Sequence, residues 1–302
     1  MADSVTAVQI KAYTELVLMR AQQTESRLRG WARTEDNVKG ESVSFDRIGM
    51  VEMAIKPSQN APTPNMDPQH SRRWATLAPY FANIYLDRSI KPTLITDPTS
   101  DYVKALSAAI GRQWDRFILA AAIGTATTGP IGPGGDATHS GSETWPVTDR
   151  KTTSHRIASA GVGLTITKLR QAKNILDALM VGSDRVFVWD SFGQENLLAT
   201  TEVTSADYNT VKALVKGDVN TFLGFDFQMV DSDLMTVAAS VVSGIAMERG
   251  AVGLGIGEDK TIRISERADL SYSWQIYGEL MGGAVRRDGE RVVEVQYLQT
   301  TL

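Results

Sequence analysis

The sequence has 302 residues, 42% hydrophobic and 22% charged, a composition that excludes an intrinsically disordered chain. Its formal net charge of −4 lacks the basic excess of a dedicated nucleic-acid-binding protein. The absence of cysteine excludes disulfides, thiolate zinc sites and a cysteine nucleophile. We predict no membrane span, because no apolar run approaches about 18 residues. We predict no secretory signal, because the N-terminus carries Asp3 and no basic segment.

The N-terminal segment has the apolar spacing of an amphipathic helix. Residues at three- and four-residue intervals predict one helix over residues 4–29, ended by Gly30. A terminal helix has few neighbours in its own chain, so we expect its apolar stripe to need a partner surface. The stripe consists of Val5, Val8, Ala12, Leu16 and Met19.

The next segment reads as a long hairpin. Residues 42–56 and 72–87 are candidate extended arms, and residues 57–70 between them are rich in proline and have no apolar period. The second arm carries an aromatic series that includes Trp74 and Tyr85. Because an isolated hairpin is marginally stable in water, we expect this one to lie against another surface.

The middle of the chain holds the strongest helix signal. Tyr102, Leu106, Ile110 and Trp114 begin an apolar stripe that predicts a helix over residues 97–123. Gly111 within it costs about 1 kcal/mol relative to alanine, which indicates a close packing contact there. Residues 124–146 contain six glycines and three prolines and are predicted to be a loop.

The remaining residues alternate between helical and strand patterns, which makes the fold class α+β. A helix is predicted from Thr165 or Thr167, a buried strand at residues 185–189 and a helix at residues 191–199. Asp288-Gly289 is a strong turn signal, so the last two arms are predicted to form a hairpin. The further predicted strands are residues 225–230, 241–247, 251–256, 273–286 and 291–298.

No pattern predicts a catalytic, cofactor or metal site, and we expect no enzyme activity. The motifs GxSxG, HExxH and GxxxxGK[ST] are absent. Gly253-Leu-Gly-Ile-Gly257 precedes a predicted strand and not a helix, so we read it as a glycine-rich strand end and not as a dinucleotide site. The remaining candidates are predicted to be surface residues: His70, His139, His155, Arg72-Arg73, Arg286-Arg287, Asp231/Asp233 and Glu258/Asp259.

The order of elements resembles that of the HK97-fold major capsid proteins of tailed bacteriophages. The closest likeness lies in residues 245–256, 260–269, 277–286 and 292–295. The resemblance implies an α+β, HK97-like capsid fold with five segments. They are an N-terminal arm (1–40), an E-loop (41–90), a P-domain part with the long spine helix (91–127), an A-domain (128–256) and P-domain return strands (257–302).

The resemblance also implies a function. Such subunits form hexamers and pentamers that close into an icosahedral shell around double-stranded DNA, bound without sequence specificity. It implies a virion location after assembly in the host bacterial cytoplasm, and as partners copies of the chain, a separate scaffolding protein, a portal protein and a candidate decoration protein. We expect Val8, Leu16, Trp74 and Tyr85 to contact other subunits. Some members of that family crosslink through Lys and Asn side chains, but no motif around Lys56 or Asn60 supports a crosslink, so we do not predict one.

Three alternatives remain open from the sequence. An encapsulin-type shell shares the fold but encloses a cargo enzyme in place of DNA. A soluble α+β enzyme would use the loop at residues 124–146 as an active-site lid, but the chain lacks a catalytic constellation. A small-molecule binding protein would normally be exported, and no signal peptide is predicted.

Overall fold

The computed structural model describes residues 22–56, 58–60, 62–63, 65–87, 99–130, 132, 141–198, 221–238 and 240–299. These residues form three β-sheets and three α-helices, so the α+β class is confirmed. The helices are α1 (Thr99–Ile123), α2 (Ile166–Ala178) and α3 (Ser191–Leu198). The strands are β1 (Arg33–Glu35), β2 (Ser42–Ile48), β3 (His70–Thr76), β4 (Ala78–Leu86), β5 (Ala126–Thr128), β6 (Gly141–Glu143), β7 (Arg156–Ile157), β8 (Arg185–Trp189), β9 (Thr221–Phe222), β10 (Phe225–Met229), β11 (Val237–Ala238), β12 (Val241–Glu248), β13 (Val252–Arg267), β14 (Ser273–Arg286) and β15 (Val292–Leu298).

A four-stranded sheet in the order β1-β13-β14-β4 carries the spine helix α1 on one face. The helix confirms the predicted stripe, because Leu106, Ile110 and Trp114 are all buried. Gly282 on β14 leaves the space that the Trp114 ring occupies, since a Cβ there would lie 2.3 Å from that ring. Glycine in this sheet therefore allows a tryptophan of the helix to approach the strand backbone.

A seven-stranded sheet forms the second layer, in the order β7-β15-β12-β8-β10-β9 with β11 paired to β12. Its strand β8 is buried at all five residues, as the apolar run Val186–Trp189 predicted. Helix α2 begins where predicted, because the Thr165 hydroxyl accepts a hydrogen bond from Lys168 N at the helix N-terminus. Among the described residues, no helix is long and apolar enough to cross a membrane.

The third sheet, in the order β2-β3-β5-β6, contains the predicted hairpin. Strands β2 and β3 pair antiparallel from Ser42–Thr76 to Ile48–His70. The arms are shorter than predicted, because β4 leaves β3 and pairs with β14 of the four-stranded sheet. Part of the predicted loop at residues 124–146 is strand, since β5 and β6 extend this sheet.

Two other predictions are wrong: the end of the N-terminal helix at Gly30 and the hairpin of the last two arms. Residues 22–28 contain no helix, and only a 3-10 turn follows at Arg29–Trp31, so the helix predicted over residues 4–29 does not extend to Gly30. Residues 4–21 lie outside the described residues. The last two arms do not form a hairpin. Asp288 caps a 3-10 turn at Gly289–Arg291, after which β14 and β15 belong to different sheets.

The predicted domain boundaries remain predictions. The residues at which the chain passes from one sheet to another differ from those boundaries. Strand β13 already belongs to the four-stranded sheet from Val252 onward. Strand β15 lies within the seven-stranded sheet between β7 and β12. The C-terminal strand thus returns to the layer of β8 and β12, whereas β13 and β14 pack with the spine helix.

Gly283 lies against the backbone at the junction of β3 and β4. A Cβ at Gly283 would lie 1.9 Å from the carbonyl oxygen of Thr76, and a backbone oxygen cannot rotate away as a side chain can. We expect Gly283→Ala to lower the free energy of unfolding by about 1–3 kcal/mol through overpacking. Urea denaturation measures this, and Gly30→Ala is the matched control because a Cβ at that glycine meets no atom within 4 Å. Equal stability of both variants would contradict the prediction.

Candidate inter-subunit surfaces

Asp115 on the spine helix anchors the start of the described chain. Its carboxylate is fully buried and accepts hydrogen bonds from four donors. Two donors are side chains, Gln23 Nε2 and Ser26 Oγ, both at 2.5 Å. The other two are the backbone amides of Arg27, at 3.0 Å, and Leu28, at 3.1 Å. A buried carboxylate with four donors is a satisfied charge, so it fixes residues 23–28 on the helix.

Gly111, one turn before Asp115, allows this segment to lie close to the helix. A Cβ at Gly111 would lie 3.0–3.1 Å from the backbone of Glu25 and Ser26, which confirms the predicted packing contact. The Arg112 guanidinium donates to Gln23 O at 3.0 Å from the neighbouring helical position. The spine helix therefore holds residues 23–28 against the body.

The paired strands β2 and β3 form the root of the hairpin, and β2 packs on glycines of β13. A Cβ at Gly253 would lie 2.7 Å from the Phe45 ring, and one at Gly255 would lie 2.4 Å from a methyl group of Val43. The reading of Gly253-Leu-Gly-Ile-Gly257 as part of a strand is confirmed. Its glycines provide a flat surface on which β2 packs.

A buried ionic cluster joins the hairpin to the end of the spine helix. Arg73 on β3 donates to Glu143 Oε1 at 2.8 Å, and Arg286 Nη2 lies 3.4 Å from Glu143 Oε2. Arg286 also donates to the carbonyls of Ala122, at 3.2 Å, and Gly124, at 2.6 Å, where the helix leaves carbonyls without intrahelical partners. Burial lowers the pKa of Arg286, and the charge of Glu143 opposes that effect.

The prediction that both arginine doublets lie at the surface is wrong for one member of each. Arg73 and Arg286 are buried, 5% and 0% exposed respectively. Strand alternation places adjacent side chains on opposite faces, so one residue of each doublet points inward. The inward guanidiniums are stable there because Glu143 and backbone carbonyls accept their hydrogen bonds.

Trp145 extends this cluster to the seven-stranded sheet. The Arg286 guanidinium carbon lies 4.8 Å from the centre of the Trp145 ring, and Trp145 Nε1 donates to Glu294 Oε2 on β15 at 2.5 Å. Glu294 also accepts from Arg156 Nε, at 2.6 Å, and Ser243 Oγ, at 2.8 Å. The chain of contacts therefore runs from the hairpin root through Trp145 to β15.

The Glu294 carboxylate predicts a pH dependence of stability. Burial alone would raise the pKa of Glu294, but hydrogen bonds from Arg156, Ser243, Trp145 and Gln296 outweigh it and lower the pKa below the ordinary value of 4.5. A lowered pKa contributes stability above pH about 4.5 that is lost as the pH falls through the folded-state value. We expect the Tm difference between the wild type and Glu294→Gln to narrow between pH 7 and pH 3. A difference independent of pH would contradict this assignment.

His155 is buried, contrary to the prediction of an exposed loop histidine. It is 0% exposed, its Nδ1 lies 2.7 Å from Val292 O, and its Nε2 lies 3.4 Å from Asp149 Oδ2. His70 is exposed on β3, as predicted, and His139 lies outside the described residues. Across the part of the chain that the structure describes, no group of three His, Asp or Glu side chains is arranged to hold a metal ion.

Beyond its paired strands, the hairpin carries exposed apolar side chains. Met53 and Ile55 are more than 90% exposed, and Ile48, Met50, Val51 and Met66 are exposed to 42–66%. Several large apolar side chains exposed within one short segment are typical of an interaction surface. The sequence predicted the hairpin itself. The two contact residues predicted for its second arm lie elsewhere than these exposed side chains, because Trp74 is on β3 and Tyr85 is on β4.

The four predicted contact residues have different environments. Tyr85 on β4 is 47% exposed. Trp74 is half-buried in its own chain, where its Nε1 donates to Gly129 O at 2.7 Å. Val8 and Leu16 lie outside the described residues. Sequence reasoning missed Asp115, Glu143 and Glu294. Of the three, only Glu294 carried a signal, a carboxylate within an otherwise apolar strand.

The described residues thus form a body of two sheets, with residues 23–28 held on the spine helix and a hairpin that exposes apolar side chains. The chain belongs to the phage capsid protein family, whose model matches residues 5–299. It is a structural subunit of the phage head shell. No curated protein sequence matches it.

Solved structures share the fold at low sequence identity. The capsid structure of cyanophage P-SCSP1u is 14% identical with a TM-score of 0.66, covering 99% of this chain and 96% of that one. The head structure of Helicobacter pylori bacteriophage KHP40 is 9% identical with a TM-score of 0.67, covering 97% of each chain. The capsid of Ralstonia phage GP4 is 11% identical with a TM-score of 0.66, covering 97% and 96%. The HK97-like fold is thereby confirmed.

Proposed function

We propose that copies of this chain associate into hexamers and pentamers that close into an icosahedral shell around double-stranded DNA. The observation that carries the proposal is the exposed apolar surface of residues 48–66 above a firmly held hairpin root. Burial of apolar surface is the dominant favourable term in protein association, and this surface is free to be covered by another copy. The net charge of −4 fits contact with packaged DNA without tight, sequence-specific binding.

We further propose that the N-terminal arm and the hairpin both reach neighbouring subunits. Tyr85 is the best supported of the four proposed contact residues, because nearly half of its surface is exposed on β4. Val8, Leu16 and Trp74 remain proposed contacts. A structural role without enzyme activity accords with this function, as does assembly in the host cytoplasm with a separate scaffolding protein, a portal protein and a candidate decoration protein.

Charged substitutions on the hairpin test the proposal. We expect Met53→Glu combined with Ile55→Glu to leave a folded, soluble subunit that forms no closed shells, because two carboxylates would be buried at the contact. Negative-stain electron microscopy of protein expressed with and without a scaffold counts shells, and circular dichroism checks folding. The matched control is Asn60→Glu with Asn65→Glu, which adds the same charge at exposed polar positions of the same segment.

Normal shells from the Met53 and Ile55 variant would overturn the role of this surface. The nucleic-acid content of wild-type shells tests the enclosed genome separately. Shells filled with a protein cargo and free of nucleic acid would favour the encapsulin alternative.

A further inference from the structure

A small cavity lies where the hairpin root meets the body, between β2, β14 and the turn before β15. Its volume is about 70 Å³. At about 10–15 Å³ of such volume per water molecule, it holds several waters or one small tetrahedral ion. Its walls are formed by Asp46, Arg47, Gly250, Arg287, Asp288 and Arg291.

The carboxylates near this cavity already have arginine partners. Asp46 accepts two hydrogen bonds from Arg72, at 2.5 and 3.1 Å. Asp288 accepts from Arg47 Nη1 at 2.8 Å and from Arg291 Nε at 3.3 Å. The two flanking pairs are Arg33–Glu35 at 3.5 Å and Arg291–Glu248 at 2.8 Å. These carboxylates therefore present little uncompensated negative charge to the cavity.

Among the arginines that line this cavity, Arg287 is the one whose guanidinium has no carboxylate oxygen within 4.0 Å in the described residues. Its Nη1 donates to Gly250 O at 3.0 Å, but its Nε is buried and has no hydrogen-bond partner there. Burial lowers the pKa of Arg287 and the neighbouring charges of Arg291 and Arg33 lower it further, whereas the charges of Glu35 and Asp288 oppose that effect. A partly buried guanidinium with a buried, unmet Nε donor and no carboxylate within 4.0 Å among the described residues favours an anion beside it.

We infer that this cavity binds an oxyanion of the phosphate class, held by Arg287 with Arg47 and Arg291 at its rim. Guanidinium groups match the geometry of phosphate oxygens and bind them with charge-assisted hydrogen bonds. Because Arg47 belongs to β2 and Arg287 follows β14, a bound oxyanion joins the hairpin root to the body. The phosphate group can come from free inorganic phosphate or from a DNA phosphodiester.

Thermal unfolding of the full chain with increasing sodium phosphate tests this inference, at constant ionic strength set with sodium chloride. We expect the Tm to rise with phosphate and to saturate, because a ligand that binds only the folded state stabilises it by mass action. Arg287→Gln is expected to abolish the saturable rise. Arg47→Gln and Arg291→Gln, at more exposed positions, are expected to weaken the apparent affinity at least about tenfold, the effect of losing roughly 1.4 kcal/mol of binding. Arg249→Gln, outside the cavity wall, is the control and should respond as the wild type does.

Three results would overturn the inference: an equal rise with chloride or acetate, no saturable rise, or an unchanged rise in the Arg47 and Arg291 variants. The rim variants keep the test valid if Arg287→Gln does not fold. A short DNA duplex distinguishes the sources. Competition between duplex and phosphate, lost in the rim variants, identifies a phosphodiester, whereas phosphate binding without competition identifies the free ion.

Discussion

Asp115→Ala is expected to detach the N-terminal arm from the spine helix and to lower the free energy of unfolding by about 3 kcal/mol. The substitution removes the common acceptor of four donors, including the backbone amides of Arg27 and Leu28. An unsatisfied buried donor costs about 1–3 kcal/mol, so the loss of several at once is large. Urea denaturation measures the stability, and hydrogen exchange at residues 23–31 measures the attachment of the arm. We also expect fewer closed shells, because the arm no longer leaves the body in a fixed direction.

Two variants control this experiment. Asp115→Asn keeps one carbonyl acceptor and is expected to show a smaller loss. Arg116→Ala changes the next, exposed helical position, where the side chain bonds only Gln113 among the described residues, and should leave exchange at residues 23–31 unchanged. If Asp115→Ala exchanges as slowly as the wild type, the carboxylate does not hold the arm.

Arg286→Met is expected to be at least as damaging, at about 3–5 kcal/mol, because it breaks a buried ionic cluster and leaves Glu143 with Arg73 alone. The carbonyls of Ala122 and Gly124 also lose their donor at the end of the spine helix. The predicted consequence goes beyond stability. Since Arg73 lies on β3, the hairpin root should exchange faster and become accessible to limited proteolysis.

Arg263→Met on the adjacent strand β13 is the matched control, because that residue is exposed. Arg286→Lys tests geometry against charge: a lysine keeps the charge but cannot donate to three acceptors in one plane, so we expect only partial recovery. Arg286→Met with wild-type stability and a protected hairpin root would contradict the role of the cluster.

Together these contacts hold residues 23–28 and the base of the hairpin firmly on the body. Asp115 fixes the arm, while Glu143, the glycines of β13 and Trp145 fix the hairpin root. The apolar residues beyond the root stay exposed. Assembly into a closed shell requires a hairpin of fixed orientation relative to the body, because small angular errors accumulate around a ring. It also requires apolar surface that is free to be covered.

The amino-acid sequence by itself determined the elements whose stability is local or periodic. The stripe of Tyr102 to Trp114 predicted the spine helix, a threonine at 165 or 167 predicted the start of α2, and the apolar run Val186–Trp189 predicted a buried strand. Each of these signals depends on the 3.6- or 2-residue period or on a cap. Such features are readable without knowledge of distant residues.

The tertiary structure decided what depends on partners far away in the chain. Asp288-Gly289 has the sequence of a hairpin turn, yet β14 pairs with β13 and β4 while β15 pairs with β12 and β7 of another sheet. Arg73, Arg286 and His155 read as surface residues, since a charge is expected to be exposed unless its partner is known. Glu143, the carbonyls of Ala122 and Gly124, and the carbonyl of Val292 are each 70 or more residues distant from the side chain they bind, and only Asp149, the second partner of His155, is close in sequence. Only the fold brings them together, so only the fold shows that these charges can be buried.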